Sequence, residues 1–218
     1  MKNVYLSHLL CDSTPLYGGY GSVAIRPEKK IALGDSCNTH CLSFPNHAGT
    51  HIDFPYHFDD EGKKLTDYSP EFWIFTNPYV VYVYAQHDEL IDLDDNNLQK
   101  IPEGTDFVIF KTGFQKNRPL DTYYKHNPGL NTGLAKRLRN RCPQIRAVGM
   151  DFISASSFQK REVGRLVHKE FLVENEILLI EDMDLSEISG PIKKLVCLPL
   201  RVEGLDGSPV TILAILEK

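Results

Sequence analysis

Short apolar runs and short helical repeats alternate along this chain from end to end. Residues 79–85, YVVYVYA, are β-branched or aromatic almost throughout, which predicts a strand covered on both faces. Residues 107–110, FVIF, predict a second buried strand that ends at Lys111-Thr112-Gly113. Shorter runs at 4–9, 146–150 and 177–180 add strands, and 195–200 and 210–216 close the chain around a Gly204–Gly207 turn. Residues 22–33 alternate loosely, as a hairpin arm would. Helical spacing covers 131–142, with Leu134, Ala135 and Leu138 on one side and Pro143 as the stop. A second helix spans 164–175, anchored by Leu166, Phe171 and Leu172. Residues 90–100 are polar and predict a short helix or loop. Residues 114–130 lack any period, and a loop of that length inside a compact domain is often functional. With no repeat and no linker, the order predicts one α/β domain over residues 1–218.

Composition narrows the class. At 218 residues, with 42% hydrophobic and 24% charged positions, the chain has enough apolar material for a substantial core. A net charge of -5 argues against a nucleic-acid partner, which would call for clustered Lys and Arg. No apolar run approaches the ~20 residues that span a bilayer, so a membrane is not expected as a partner. The opening apolar patch is interrupted by His8, Cys11 and Asp12, unlike a signal peptide. Five scattered cysteines, an odd number, point to a reducing cytoplasm rather than a disulfide framework.

The chemistry concentrates in residues 47–58, HAGTHIDFPYHF. If this stretch is extended, odd-numbered side chains share a face, so His47, His51, Asp53 and His57 line one side with Gly49 leaving space among them. Four ionisable groups on one face are costly without a compensating cation, and imidazole with carboxylate suits zinc, manganese or iron(II). Such a motif needs partners, and His168 and Glu181 are the attractive ones. By spacing alone, the first could equally be a surface histidine and the second part of an acidic turn. Cys37, Cys41, His47 and His51 also spell C-x3-C-x5-H-x3-H, a possible structural zinc site. That spacing is short for a zinc finger and leaves Asp53 and His57 unexplained; the two cysteines read more simply as small buried residues or loop thiols.

His47 through Phe58 resembles the HxGTHxDxPxHF signature of the cyclase family of metal-dependent hydrolases, which includes bacterial kynurenine formamidases and isatin hydrolases. Further resemblance lies in Val148-Gly149-Met150-Asp151 with Ser154, in His168 to Leu172 with Ile180-Glu181, and in Gly204 to Pro209. The resemblance implies an α/β single domain with a β-barrel-like mixed sheet core surrounded by helices, usually as a homo-oligomer, a dimer or tetramer. It implies that His47, His51 and Asp53 hold one divalent ion, zinc or manganese. Asp53 would bridge to a second ion held by His168 and Glu181, although some members use one ion per subunit. His57 would act as general acid/base in hydrolysing a small amide, an N-formyl group or a cyclic amide or ester, arylformamidase activity among them. Two departures bear on the substrate. Tyr17 stands near the place of a tryptophan that stacks on an aromatic substrate, and Val210 follows Pro209 where the family often has arginine. The other reading from a different class is a non-catalytic metal-binding module with a structural zinc site.

Overall fold

A computed structural model describes residues 2–217. Its strands are β1 (Lys2–Tyr5), β2 (Ala24–Lys29), β3 (Thr39–Ser43), β4 (His51–Asp53), β5 (Ile74–Phe75), β6 (Pro78–Tyr82) and β7 (Leu90–Ile91). They continue as β8 (Phe107–Lys111), β9 (Gly129–Leu130), β10 (Ala147–Met150), β11 (Leu178–Glu181), β12 (Ile192–Pro199) and β13 (Gly207–Leu216). The helices are α1 (Asp95–Gln99), α2 (Thr122–Lys125), α3 (Leu134–Arg141) and α4 (Arg161–His168).

Nine strands form one mixed sheet in the order β5-β12-β13-β4-β11-β10-β8-β6, with β1 also paired to β13. Strands β6, β8, β10 and β11 run parallel, while β4, β13 and β12 are joined by antiparallel pairing. Helical and irregular segments intervene between the parallel strands, as crossover connections require. Four consecutive buried residues in each of β8, β10 and β11 match the continuous apolar runs that parallel strands need. Strand β12 packs against β6 from the far side of the path, so the sheet is nearly closed, a barrel-like α/β core. Strands β2 and β3 pair only with each other, forming an arm outside this sheet.

Several expectations change here. The run at 79–85 is not covered on both faces: β6 ends the strand path, Val81 is the one buried residue of that strand, and Tyr82 is 67% exposed. The period-free stretch 114–130 is not one loop, since it holds a 3-10 turn, α2 and β9, whose pairing with β7 is set by tertiary contacts rather than by local pattern. The helix expected at 164–175 starts earlier, at Arg161, and widens to a π-helix over Lys169–Glu174. Its anchor Leu166 is exposed. The buried positions are Gly164, Val167, His168, Phe171 and Leu172, a clean three-and-four spacing that turns His168 inward.

Pairing register places the chemistry. On one side of β4, His51 lies opposite Glu181 of β11; on the other, Asp53 lies opposite Gly207 of β13. Directly opposed residues share a face, as do residues two apart on a strand, so His51, Asp53 and Glu181 emerge together.

Candidate metal centre

The histidine-rich stretch is extended only over His51–Asp53. Before it, Gly49 adopts a φ of +63°, a left-handed turn open to glycine without steric cost. After it, Pro55 opens a 3-10 turn over Pro55–His57. Alternation along one strand therefore accounts for His51 and Asp53, whereas His47 and His57 return to the site through the flanking turns. Their rings stand with centroids 4.3 Å apart. The fold leaves room for His47 by having no side chain at Gly207, where a Cβ would collide with the imidazole.

Two imidazoles and two carboxylates converge behind these rings. His51 Nε2 lies 3.4 Å from Glu181 Oε2 and 3.6 Å from Asp53 Oδ1. His168 Nε2 lies 3.3 Å from Glu181 Oε1 and 3.6 Å from Asp53 Oδ2. All four residues are between 1% and 4% exposed. The opposite ring nitrogen of each histidine is occupied: Nδ1 of His51 donates to the Gly49 carbonyl and Nδ1 of His168 to the Gly164 carbonyl, both at 2.8 Å. That arrangement fixes the rings and aims Nε2 at the carboxylates, the support that metal-ligating imidazoles need. Glu181 Oε1 accepts from the Ala155 N–H at 2.7 Å and from Ser154 Oγ at 3.2 Å. His47 Nδ1 faces Asp53 Oδ1 at 2.9 Å while its Nε2 faces Asp206 Oδ2, also at 2.9 Å. The same Asp206 oxygen accepts from His57 Nδ1 at 2.6 Å.

Charge in this buried cluster is strongly coupled. Burial alone would lower the pKa of His168, but Asp53 and Glu181 outweigh it and raise the pKa to about 10. His47 follows the same logic: burial is outweighed by Asp53 and Asp206, again raising its pKa to about 10. Burial also opposes the charged form of Asp53, yet His47 and His168 hold its carboxyl well below the usual range. Protonated imidazoles thus balance carboxylates here, the task a divalent cation performs in such donor sets. The donors fit a metal: among the described residues, His51, Asp53 and Glu181 form one group of mutually close donor atoms and His47, Asp53 and His57 another, sharing Asp53.

The structure brings together every sequence-predicted site residue: His47, His51, Asp53, His57, His168 and Glu181, with Tyr17 on the same pocket of about 320 Å³. Tyr17 Oη is buried beside Ser156, and burial followed by the charge of Glu181 pushes its pKa up to about 12. Cys37 and Cys41 are exposed on the arm rather than buried, and neither metal-capable group contains a cysteine. A zinc site of Cys37, Cys41, His47 and His51 is therefore not favoured. Asp206 is the residue the sequence reading missed, having entered only as part of the closing segment. Its sole local signal is an acidic side chain in a Gly-flanked turn, with nothing in the spacing that ties residue 206 to residue 57.

Comparison with known proteins agrees with this geometry. The chain is 29% identical over 206 residues to kynurenine formamidase from Geobacillus thermodenitrificans (strain NG80-2), covering 94% of this chain and 93% of that one. It is 28% identical over 217 residues to cyclase-like protein 3 from Oryza sativa subsp. japonica, covering 94% and 76%. Isatin hydrolase A from Labrenzia aggregata, solved with benzyl benzoate, superposes with a TM-score of 0.80 at 20% identity, over 100% of this chain and 94% of that one. The Cyclase family model matches residues 4–157, from the first strand through the histidine motif to the segment beneath Glu181. On that match, which spans more than half of its length, the chain belongs to the Cyclase family.

Proposed function

We propose that this protein is a metal-dependent hydrolase cleaving a small amide, an N-formyl group or a cyclic amide or ester, with arylformamidase activity among the candidates. The observation that carries the reading is the convergence of His51 and His168 Nε2 on the Asp53 and Glu181 carboxylates, with both Nδ1 atoms tied to backbone carbonyls. Kynurenine formamidase and isatin hydrolase among the similar proteins support a substrate of this class.

In this reading His47, His51 and Asp53 would hold one divalent ion, zinc or manganese, and Asp53 with His168 and Glu181 would hold a second. A bound ion would supply Lewis acidity, lowering the pKa of water toward neutral and polarising a carbonyl. The chain's own residues do the rest. Asp206 accepts from His57 Nδ1 and so turns Nε2 toward the pocket, where it passes a proton to the leaving nitrogen or oxygen. Tyr17 and Phe58 form apolar walls beside that position, suited to a flat aromatic body. The five free cysteines support a reducing compartment, the cytoplasm. No helix of the described residues is long and apolar enough to cross a membrane.

The test is His57→Ala, assayed on N-formylkynurenine, isatin and aryl esters with zinc and then manganese. Loss of turnover with full metal content is expected, whereas loss of metal would make His57 a ligand and overturn its role. Failure of the wild-type protein on the whole panel, with metal bound, would favour a binding module.

A further inference from the structure

Two cations stand at the mouth of the metal pocket and have no part in the chemistry above. Arg161 and Arg165 lie four residues apart on α4, the helix that carries His168, and both line the pocket beside Tyr17 and Ser156. That spacing stacks them on one helix face. The Arg161 guanidinium rests 5.0 Å from the ring centroid of Phe158, and this ring meets Tyr17 edge-on at 5.4 Å. The arginine is thereby braced against an aromatic wall.

Neither charge is neutralised by the site. Among the described residues Arg161 has no ion pair, and Arg165 makes only a 3.6 Å contact with Glu162, where the two side chains are 64% and 94% exposed. An exposed pair of this kind holds little. Asp53 and Glu181 are engaged by histidines instead. Arg161 is also the first residue of α4, where the helix macrodipole disfavours a cation. A residue that works against its own helix, unpaired and beside a cavity, fits a ligand role better than a structural one. The Tyr17 hydroxyl, beside Ser156, feels both guanidinium groups from the same wall.

The geometry points to a carboxylate subsite formed by Arg161 and Arg165, so that the substrate is an anionic amide. Its carboxylate sits at the rim, its apolar body lies along Tyr17, Phe58 and Ile153, and its scissile group reaches the histidines. A paired guanidinium site suits a carboxylate because its donors match the two oxygens. This inference rests on the hydrolase reading for the scissile end alone.

Two measurements on the zinc-loaded protein separate the claims. Turnover is compared for (4-formamidophenyl)acetate and for neutral 4-ethylformanilide. Binding is compared by calorimetry for the inert ureas (4-ureidophenyl)acetate and 4-ethylphenylurea. The anionic member of each pair is expected to be favoured roughly tenfold to a hundredfold, the value of one or two charge-assisted hydrogen bonds, and mainly through KM. Arg161→Gln/Arg165→Gln should abolish that preference at unchanged metal content, and Arg161→Lys/Arg165→Lys should restore part of it. Equal treatment of both members by the wild-type protein overturns the inference, and turnover of both would leave the hydrolase reading intact. Arginine-dependent binding of the anionic urea without turnover of either formamide would uphold the subsite while sinking the hydrolase reading.

Discussion

Asp206 uses one carboxylate oxygen to hold two histidines that have different proposed tasks, His47 at 2.9 Å and His57 at 2.6 Å. Hydrogen bonds from His47, then from His57, keep its carboxyl far below the ordinary carboxylate range. A permanently ionised acceptor is what fixes Nδ1 of His57 as a donor and leaves Nε2 for the substrate. Asp206→Asn removes that charge at nearly constant shape. The expected result is a loss of turnover of roughly tenfold to a hundredfold, the range for partners that orient metal-site histidines. Metal affinity should fall as well through His47, so both are measured, by steady-state kinetics and by competition with a chelator; unchanged kinetics would remove Asp206 from the mechanism. This residue also marks where sequence reasoning ends. His47, His51, Asp53 and His57 sit within one dense motif and could be picked out by chemistry alone. Asp206 is 149 residues from the histidine it serves, and only the β4–β13 pairing brings the two together.

At the scale of elements, helix α4 and strand β6 show how local pattern can be right in kind and wrong in orientation. The sequence predicts a helix through His168, but with Leu166 inward; the structure instead buries Val167 and exposes Leu166. The buried face keeps its three-and-four spacing from Gly164 through Leu172, and Leu166, five residues before Phe171, falls outside it. Similarly, the apolar run at β6 reads as a central strand because periodicity carries no information about position in a sheet. The arm was legible only in part, since a hairpin within 22–33 covers β2 but not β3 at Thr39–Ser43, and its role follows from what it exposes. Ile31 and Leu33 in the connection and Leu42 on β3 are 58%, 79% and 58% exposed. Exposed apolar side chains along this arm suit contact with a second copy of the chain, as the homo-oligomer implied by the family resemblance would need. Light scattering is expected to give a dimer or tetramer. Leu33→Lys/Leu42→Lys should shift it toward monomer with the metal retained, and a fully active wild-type monomer would dismiss the arm as an interface.

At the scale of the whole molecule, the site lies where the parallel and antiparallel halves of the sheet meet. Strand β4 contributes His51 and Asp53, β11 contributes Glu181, and α4 contributes His168, so a bound ion would cross-link three elements. In the metal-free protein that link is made by protons. His47 and His168 have folded-state pKa values of about 10 against an unfolded value of 6.5. Their stabilising effect is therefore complete below pH 6.5 and is lost as pH rises through about 10. A metal requires the same imidazoles to be neutral, so it displaces those protons at pH 7 and binds more tightly as pH rises. Stability of the loaded protein exceeds that of the stripped protein by an amount set by affinity and free metal, which grows over the same window. Melting temperatures measured with metal and with chelator should diverge as pH is raised from about 6.5 to about 9, because the stripped protein weakens while the loaded one gains affinity. Calorimetric titration of metal at pH 7 in two buffers of different ionisation enthalpy should show proton release that declines toward pH 10. A constant melting gap with no proton release would mean that the histidines are already neutral, and that something other than protonated imidazole balances Asp53 and Glu181 in the stripped protein.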